Sequence, residues 1–208
     1  MRGVEQIPWI YDAICAFAEW RGLGRWRRWL VGGARGLTLD LGSGTGRNLP
    51  LYPTGVRVIG VEPSAAALPR ARRRAPGVLL VRASAEALPF RDGVFDTVVC
   101  GLVLCTVDDP PRALAELRRV LRPGAQLRAL EHVRSVRPWR ARLQDAIQPA
   151  WTRLAGGCHP NRDTERAVQA AGFAIETEGW RADGTMRRFA ARVARAGDAP
   201  PPVGTMTS

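Results

Sequence analysis

Between residues 37 and 48 the chain reads Leu37-Thr38-Leu39-Asp40-Leu41-Gly42-Ser43-Gly44-Thr45-Gly46-Arg47-Asn48. An apolar alternation ends in an acid, and glycine then takes every second position. A strand that breaks into such a turn presents bare backbone N–H groups, because no Cβ stands between them and a ligand. A second acid, Glu62, closes the next apolar run, Val56-Arg57-Val58-Ile59-Gly60-Val61. An acid about 20 residues past such a loop is where a nucleoside ribose is held. The segment therefore predicts a nucleoside cofactor lying at the ends of parallel strands.

The flanking sequence keeps the same rhythm. Residues 37–41 read as a strand, and the turn 42–46 as the entry to a helix from about Asn48. Residues 56–61 form the second strand. Residues 64–75 look helical, with Pro69 kinking or shortening that helix. Residues 78–81 and 95–100 are the third and fourth strands. Residues 111–121 form an amphipathic helix with Pro111 at its start and Leu114, Leu117 and Leu121 on one face. Arg122-Pro123-Gly124 ends it, and residues 125–132 are the fifth strand. This alternation predicts a doubly wound parallel sheet with right-handed crossovers.

Before the sheet, Pro8 opens a helix over residues 8–20, with Ile10, Ile14 and Phe17 at helical spacing. A short helix at 25–31 sets Trp26, Trp29 and Leu30 among Arg25, Arg27 and Arg28. Four of the seven tryptophans lie in the first 29 residues. They read as aromatics packed on the core, with a membrane-surface helix as the alternative. After His132, residues 133–162 fit no strand and read as an insertion containing a helix over 138–154. Asp163 caps a helix at 164–171, which Gly172 ends. Residues 173–178 and 185–194 are closing strands. The expected organisation is N-terminal lid helices over 1–35, a cofactor-binding domain over 36–196 with its substrate-side insertion at 133–162, and a disordered tail over 197–208.

Composition narrows the function classes. The formal net charge is +12, and all 31 basic residues are arginine. They are spread along the chain without the interleaved aromatics of a nucleic-acid module, so they read as compositional bias and no nucleic-acid partner is expected. No apolar run approaches the roughly 18–20 residues of a spanning helix. The first 30 residues lack the hydrophobic centre of a signal peptide, so a cytoplasmic location is expected. The four cysteines show no CxxC pair and no zinc-ligand spacing, and no metal is expected. Cys15 and Cys100 read as core thiols, while Cys105 and Cys158 fall near loops, where they would be exposed.

The glycine spacing departs from the dinucleotide pattern G-x-G-x-x-G, because the third glycine arrives at Gly46 and Arg47 takes its place. Taken in order, five segments identify the chain as resembling the class I S-adenosylmethionine-dependent methyltransferases. They are residues 39–46, Glu62, Ser84-Ala85-Glu86-Ala87-Leu88-Pro89-Phe90, Phe95-Asp96-Thr97-Val98-Val99, and Arg119-Val120-Leu121-Arg122-Pro123-Gly124. The subgroup resembled includes quinone-biosynthesis, small-molecule and phospholipid methyltransferases. Glu131-His132-Val133-Arg134 and Gly157-Cys158-His159-Pro160-Asn161-Arg162 resemble the thiol methyltransferase-like branch.

The resemblance implies a seven-stranded, mostly parallel Rossmann-like sheet that binds S-adenosylmethionine and releases S-adenosylhomocysteine. It implies that Gly42, Ser43, Gly44 and Gly46 pass beneath the methionine moiety and that Asp40 sits near its ammonium. Glu62, followed by Pro63, would hold the ribose hydroxyls, and Ser84, Ala85 and Glu86 would border the adenine. Asn48 belongs to the same cofactor set. Tyr11 and Asp12 lie on the capping helix, toward cofactor and acceptor respectively. The family often has Asp at position 84 and Gly-Gly where this chain has Gly124-Ala125.

Methyl transfer from a sulfonium is an in-line displacement that needs alignment, dryness and sometimes one proton removed. His132, closing the fifth strand, is the first candidate base and His159 the second. Trp139, Trp151 and Arg162 are candidates for the acceptor pocket. The expected acceptor is a small-molecule thiol, amine, hydroxyl or activated carbon. A membrane-surface lipid or quinone methyltransferase is the alternative, with weak membrane-surface contact. A cofactor-binding cyclase, decarboxylase or regulatory protein on the same fold is a further one. Either a monomer or a homodimer fits.

Overall fold

A computed structural model describes residues 22–193. The helix expected at 8–20, Tyr11, Asp12, Cys15 and the tail 197–208 lie outside the described residues. The order is α1 (Gly24–Gly32), β1 (Leu37–Leu41), a 3-10 turn (Leu49–Leu51), β2 (Arg57–Val61), α2 (Leu68–Arg74), β3 (Leu79–Val81) and β4 (Phe95–Gly101). There follow α3 (Pro110–Val120), β5 (Leu121–His132), α4 (Pro138–Leu154), α5 (Thr164–Ala170), β6 (Phe173–Ile175), β7 (Arg181–Asp183) and β8 (Met186–Val193).

The strands form one sheet in the order β3-β2-β1-β4-β5-β8-β6, with β7 paired to β8 alone. The first five run parallel, and β8 lies antiparallel to β5. Eight strands are present among the described residues rather than the seven expected. The extra one is β7, a three-residue arm that folds back on β8 at Gly184, where φ is 56°.

Alternation along β4 and β5 builds two cores. Val98, Cys100, Leu127 and Ala129 face one side, where α3 buries Ala113, Leu114, Leu117 and Val120. Val99 and Leu130 face the other, against Leu30 and Val31 of α1. Covered on both faces, β1 is buried from Thr38 to Leu41. Burial of this kind is the main stabilising term in such a sheet.

Local chemistry shifted several boundaries. No helix starts at Asn48: Pro50 and Pro53 deny the backbone donors a helix needs, and only the turn Leu49–Leu51 forms. Pro69 sits in the first turn of α2 and shortens that helix rather than kinking it. Arg122-Pro123-Gly124 does not separate α3 from the fifth strand. β5 begins at Leu121, opposite Phe95, and the segment is absorbed as an irregularity with Gly124 at φ 77°. The 138–154 helix has the expected bounds.

Strand order reverses between β1 and β4, whose carboxyl ends lie side by side through Leu41 and Cys100. A crevice at this point is where open α/β sheets bind ligands.

Candidate active site

The glycine turn leaves β1 in the left-handed region at Gly42, Gly44 and Gly46, with φ of 60°, 55° and 82°. A Cβ on Gly42 would come within 2.5 Å of Val103 Cγ2, so the turn lies tight against the segment after β4. Ser43 points inward, its Oγ donating to the Val61 carbonyl at 3.2 Å. Gly44 N–H donates to Glu62 Oε2 at 2.9 Å and Ser64 N–H to Glu62 Oε1 at 2.8 Å. One donor on each oxygen fixes the carboxylate and leaves lone pairs for a diol. Burial pushes the Glu62 pKa up, against the two backbone donors. Pro63 is exposed at the rim.

Asp40 is completely buried. Its Oδ1 accepts from Asn48 Nδ2 at 3.1 Å, and Asn48 Oδ1 accepts from Arg27 Nη1 at 2.7 Å, which ties α1 to the loop. Its Oδ2 and the Tyr52 hydroxyl have no hydrogen-bond partner at bonding geometry, although each group is near enough to shift the other's pKa. Burial raises the Asp40 pKa to about 6, partly offset by Asn48, Tyr52 and Arg27. A buried carboxylate oxygen without a donor is costly, and a ligand ammonium would satisfy it. An aminoacyl cation joined to a ribonucleoside thus fits the residues present.

After β3, Ser84 hydrogen-bonds the Glu86 carboxylate. Glu86 Oε1 accepts from Asp108 N–H at 3.0 Å and Asp109 N–H at 3.4 Å, clamping the loops after β3 and β4 together. Ala85 is buried beneath them. The Glu86 carboxylate is therefore engaged with backbone donors.

The second half of the site begins at Leu102, the only described non-glycine residue at positive φ, 64°. That turn aims three consecutive N–H groups at one buried carboxylate: Val103 and Leu104 donate to Glu131 Oε1 at 2.9 and 3.0 Å, and Cys105 donates to Oε2 at 3.1 Å. Burial, together with the nearby Cys105, raises the Glu131 pKa well above the ordinary carboxylate range despite these donors.

Next to Glu131, His132 Nδ1 lies 3.7 Å from Cys158 Sγ, which is itself 3.7 Å from Cys105 Sγ. Cys105 and Cys158 are buried, not exposed as their loop positions suggested. The 155–162 segment folds back over the end of β4, with His159 N–H donating to the Cys105 carbonyl at 2.7 Å. The proton shared with Cys158, then burial, pushes Cys105 up to about 12, while Cys158 is held below its ordinary value. Burial alone would lower the His132 pKa, but the Cys105 hydrogen bond and the charges of Cys105 and Glu131 outweigh it and raise it.

Buried Gln144 fastens α4 in place. Its Oε1 accepts from Ser135 N–H at 2.7 Å, and its Nε2 donates to the Val133 and Pro160 carbonyls at 3.0 and 2.7 Å. Arg162 Nη1 donates to the Leu104 and Val107 carbonyls at 2.9 and 2.7 Å. His132 and Arg162 thus converge on the segment after β4. His159 has a buried Nδ1 with no partner at bonding geometry. Trp139 and Trp151 sit on the outer face of α4, 60% and 41% exposed, although the Trp151 indole helps to hold the Cys158 pKa down. Sequence reasoning left Glu131, Cys105, Cys158 and Tyr52 out of the candidate site residues. The signal for Glu131 and Cys158 was their place in the segments 131–134 and 157–162.

Residues 39–129 match the family described as Methyltransferase domain. The chain is 35% identical over 143 residues to the thiol S-methyltransferase TMT1B of Homo sapiens, covering 65% of this chain and 59% of that protein. It is 36% identical over 108 residues to the demethylmenaquinone methyltransferase of Renibacterium salmoninarum, covering 50% and 46%. Among solved structures, a possible histamine N-methyltransferase from Thermotoga maritima superposes with a TM-score of 0.60 at 25% identity, covering 76% of this chain and 83% of that one. The chain spans less than two thirds of the length of these two curated relatives.

Proposed function

We propose that this chain, which belongs to the class I S-adenosylmethionine-dependent methyltransferases, transfers the donor's methyl group to a small-molecule thiol. The observation that carries the donor half is Asp40, a buried carboxylate with an unsatisfied oxygen beside the glycine turn. When bound, S-adenosylmethionine supplies an electrophilic methyl on a positive sulfur. Asp40 receives its ammonium, Glu62 its ribose hydroxyls, and the Gly42–Gly46 turn lies beneath its aminoacyl part. Ser84, Ala85 and Glu86 border the adenine. The 155–162 segment excludes water from the acceptor side, where His132 and Arg162 reach the end of β4. Fixed alignment supplies much of the acceleration of such a displacement.

The thiol reading draws on the likeness to thiol S-methyltransferases and on the soft sulfur and imidazole groups gathered at the acceptor side. The test is a mass-spectrometric screen for a product one methylene heavier, using thiols, amines, phenols and quinones with methyl-labelled donor. Thioether formation from thiols is expected. Label transferred only to another class would overturn the thiol assignment, and cofactor binding without any labelled product would favour a non-transferase.

A membrane-surface lipid or quinone acceptor has one observation in its favour. Trp139, Leu143, Ile147, Trp151 and Leu154 form an exposed apolar stripe along α4. Such a face with arginines beside it suits an interface. Co-sedimentation of wild type and Leu143→Glu/Ile147→Glu with anionic vesicles decides: wild-type binding lost in the variant supports this reading, and no wild-type binding removes it. The proposal also takes a cytoplasmic small-molecule substrate and no nucleic acid, so methyl transfer should be insensitive to moderate salt.

A further inference from the structure

We propose that Cys105, His132 and Cys158 form a binding site for one zinc-class divalent cation at the acceptor end of the sheet. Their ligand atoms, Sγ, Nδ1 and Sγ, all lie within 4.8 Å of one another. Both the sulfur–sulfur and the Cys158 sulfur–nitrogen separations are 3.7 Å. A tetrahedral zinc with bonds of about 2.3 Å to sulfur and about 2.0–2.1 Å to nitrogen has edges of roughly 3.8 and roughly 3.5 Å, so both edges at Cys158 already match it, and the third, between Cys105 and His132, is under 4.8 Å.

The site is built from three separate parts of the chain, which is why no spacing motif announces it. Cys105 follows β4, His132 closes β5, and Cys158 follows α4. Cys105 and Cys158 are each fixed by neighbours that are not ligands. Glu131 accepts from Cys105 N–H at 3.1 Å, His159 N–H donates to the Cys105 carbonyl at 2.7 Å, and Thr152 Oγ1 donates to the Cys158 carbonyl at 3.0 Å. These bonds hold the backbone that carries the two sulfurs. Two thiolates cancel a divalent charge, so the cation and its two sulfur ligands are neutral together. Thiolate and imidazole together select a soft or borderline cation over magnesium or calcium.

Three protein ligands leave a fourth position, the arrangement of catalytic rather than structural zinc. A thiol acceptor binds there as thiolate, its proton passing to solvent. Its sulfur then forms the new S–CH3 bond as the donor's C–S bond breaks, the electron pair staying on the donor sulfur. This acceptor step rests on the thiol reading above and makes His132 a ligand rather than a free base. The metal site itself does not depend on that reading.

The test uses the full chain, stripped with a chelator and reduced with a phosphine. Zinc is titrated against a chromophoric chelator, and cobalt is followed by absorption. One equivalent of zinc per chain is expected. So are a thiolate-to-cobalt charge-transfer band and the intense visible bands of a four-coordinate ion. Cys105→Ser and Cys158→Ser should each weaken zinc binding by more than about 100-fold, and Cys100→Ala should leave it unchanged. No stoichiometric uptake by the reduced wild-type chain overturns the site, as does equal uptake by the Cys105→Ser/Cys158→Ser double variant. The wild-type cobalt spectrum needs no variant to fold. Adding propanethiol should shift the visible cobalt bands. An unchanged spectrum overturns the acceptor position alone and leaves the metal site standing.

Discussion

Asp40 carries two opposite pH dependences. Its folded pKa is about 6 against 3.8 for the free side chain, so between those values the native state holds more protons than the unfolded one. The group's contribution to ligand-free stability is therefore fully present below about pH 4 and is lost as pH rises to about 6, by roughly 3 kcal/mol. The charges it faces are Arg27, Glu62 and, when ionised, Tyr52 and Cys100. Urea unfolding across this range should show a decline in wild type that Asp40→Asn flattens. Donor affinity should run the other way, weakening as pH falls below about 6, because the ammonium needs the carboxylate. Calorimetric titration of S-adenosylhomocysteine would show it, and a pH-independent affinity would remove Asp40 from the donor site.

Gly42 tests the turn itself. Alanine there meets Val103 Cγ2 at 2.5 Å and is strained at φ 60°. A cost of about 1–3 kcal/mol in stability is expected. Val103→Ala should relieve the collision without relieving the backbone strain, so the double variant recovers only part of the loss in chemical unfolding.

At the scale of elements, α4 depends on one side chain. Gln144→Leu would leave Ser135 N–H and the Val133 and Pro160 carbonyls without their partner. Buried groups left unpaired cost about 1–3 kcal/mol each. Amide exchange should rise first in residues 133–162, with β1 and β4 protected as in wild type. A uniform rise across the sheet would mean that the insertion and the sheet unfold as one unit. α1 is held differently: Arg128 donates to the carbonyls of Leu30 and Trp29 at 2.7 and 2.6 Å, and its guanidinium lies 4.3 Å from the Trp29 ring centroid. Arg188 lies over both Trp26 and Trp29. These two tryptophans therefore pack on the core and on arginines, the reading preferred from sequence.

For the whole molecule, the donor should act as a clamp between β1 and β2, whose ends carry Asp40 and Glu62. Binding to the native state alone stabilises it by about 2.7 kcal/mol at 100 times the dissociation constant. S-adenosylhomocysteine should thus raise the unfolding midpoint of wild type and leave that of Glu62→Gln/Asp40→Asn nearly unmoved in a thermal scan. The charge of +12 has an internal use as well. Arg119 joins Glu116, Asp92 and the carbonyls of Phe90 and Leu88, and Arg122 joins Asp96. Such partners explain why arginines spread along the chain need not mark a polyanion surface.

The grouping of Asp40, the glycine turn and Glu62 was legible in sequence because these parts are local. Asp40, the glycines and Glu62 sit on consecutive strand ends, so strand periodicity and turn chemistry alone bring them to one crevice. The parallel sheet was legible for the same reason: alternating apolar runs and helices leave little choice of topology. The cluster beyond β4 was not. Cys105, Glu131, His132 and Cys158 come from three segments whose nearness depends on the 155–162 segment folding back over β4, and no periodicity encodes that. Pro50 and Pro53 stopped the helix that the glycine turn was read as entering, and β7 arose from pairing that three residues could not announce. Sequence alone thus determined the sheet and the glycine turn with its two acids at the strand ends. Only tertiary packing decided that two loop cysteines would be buried against an imidazole, because their contact energies exist only once β4, β5 and α4 have met.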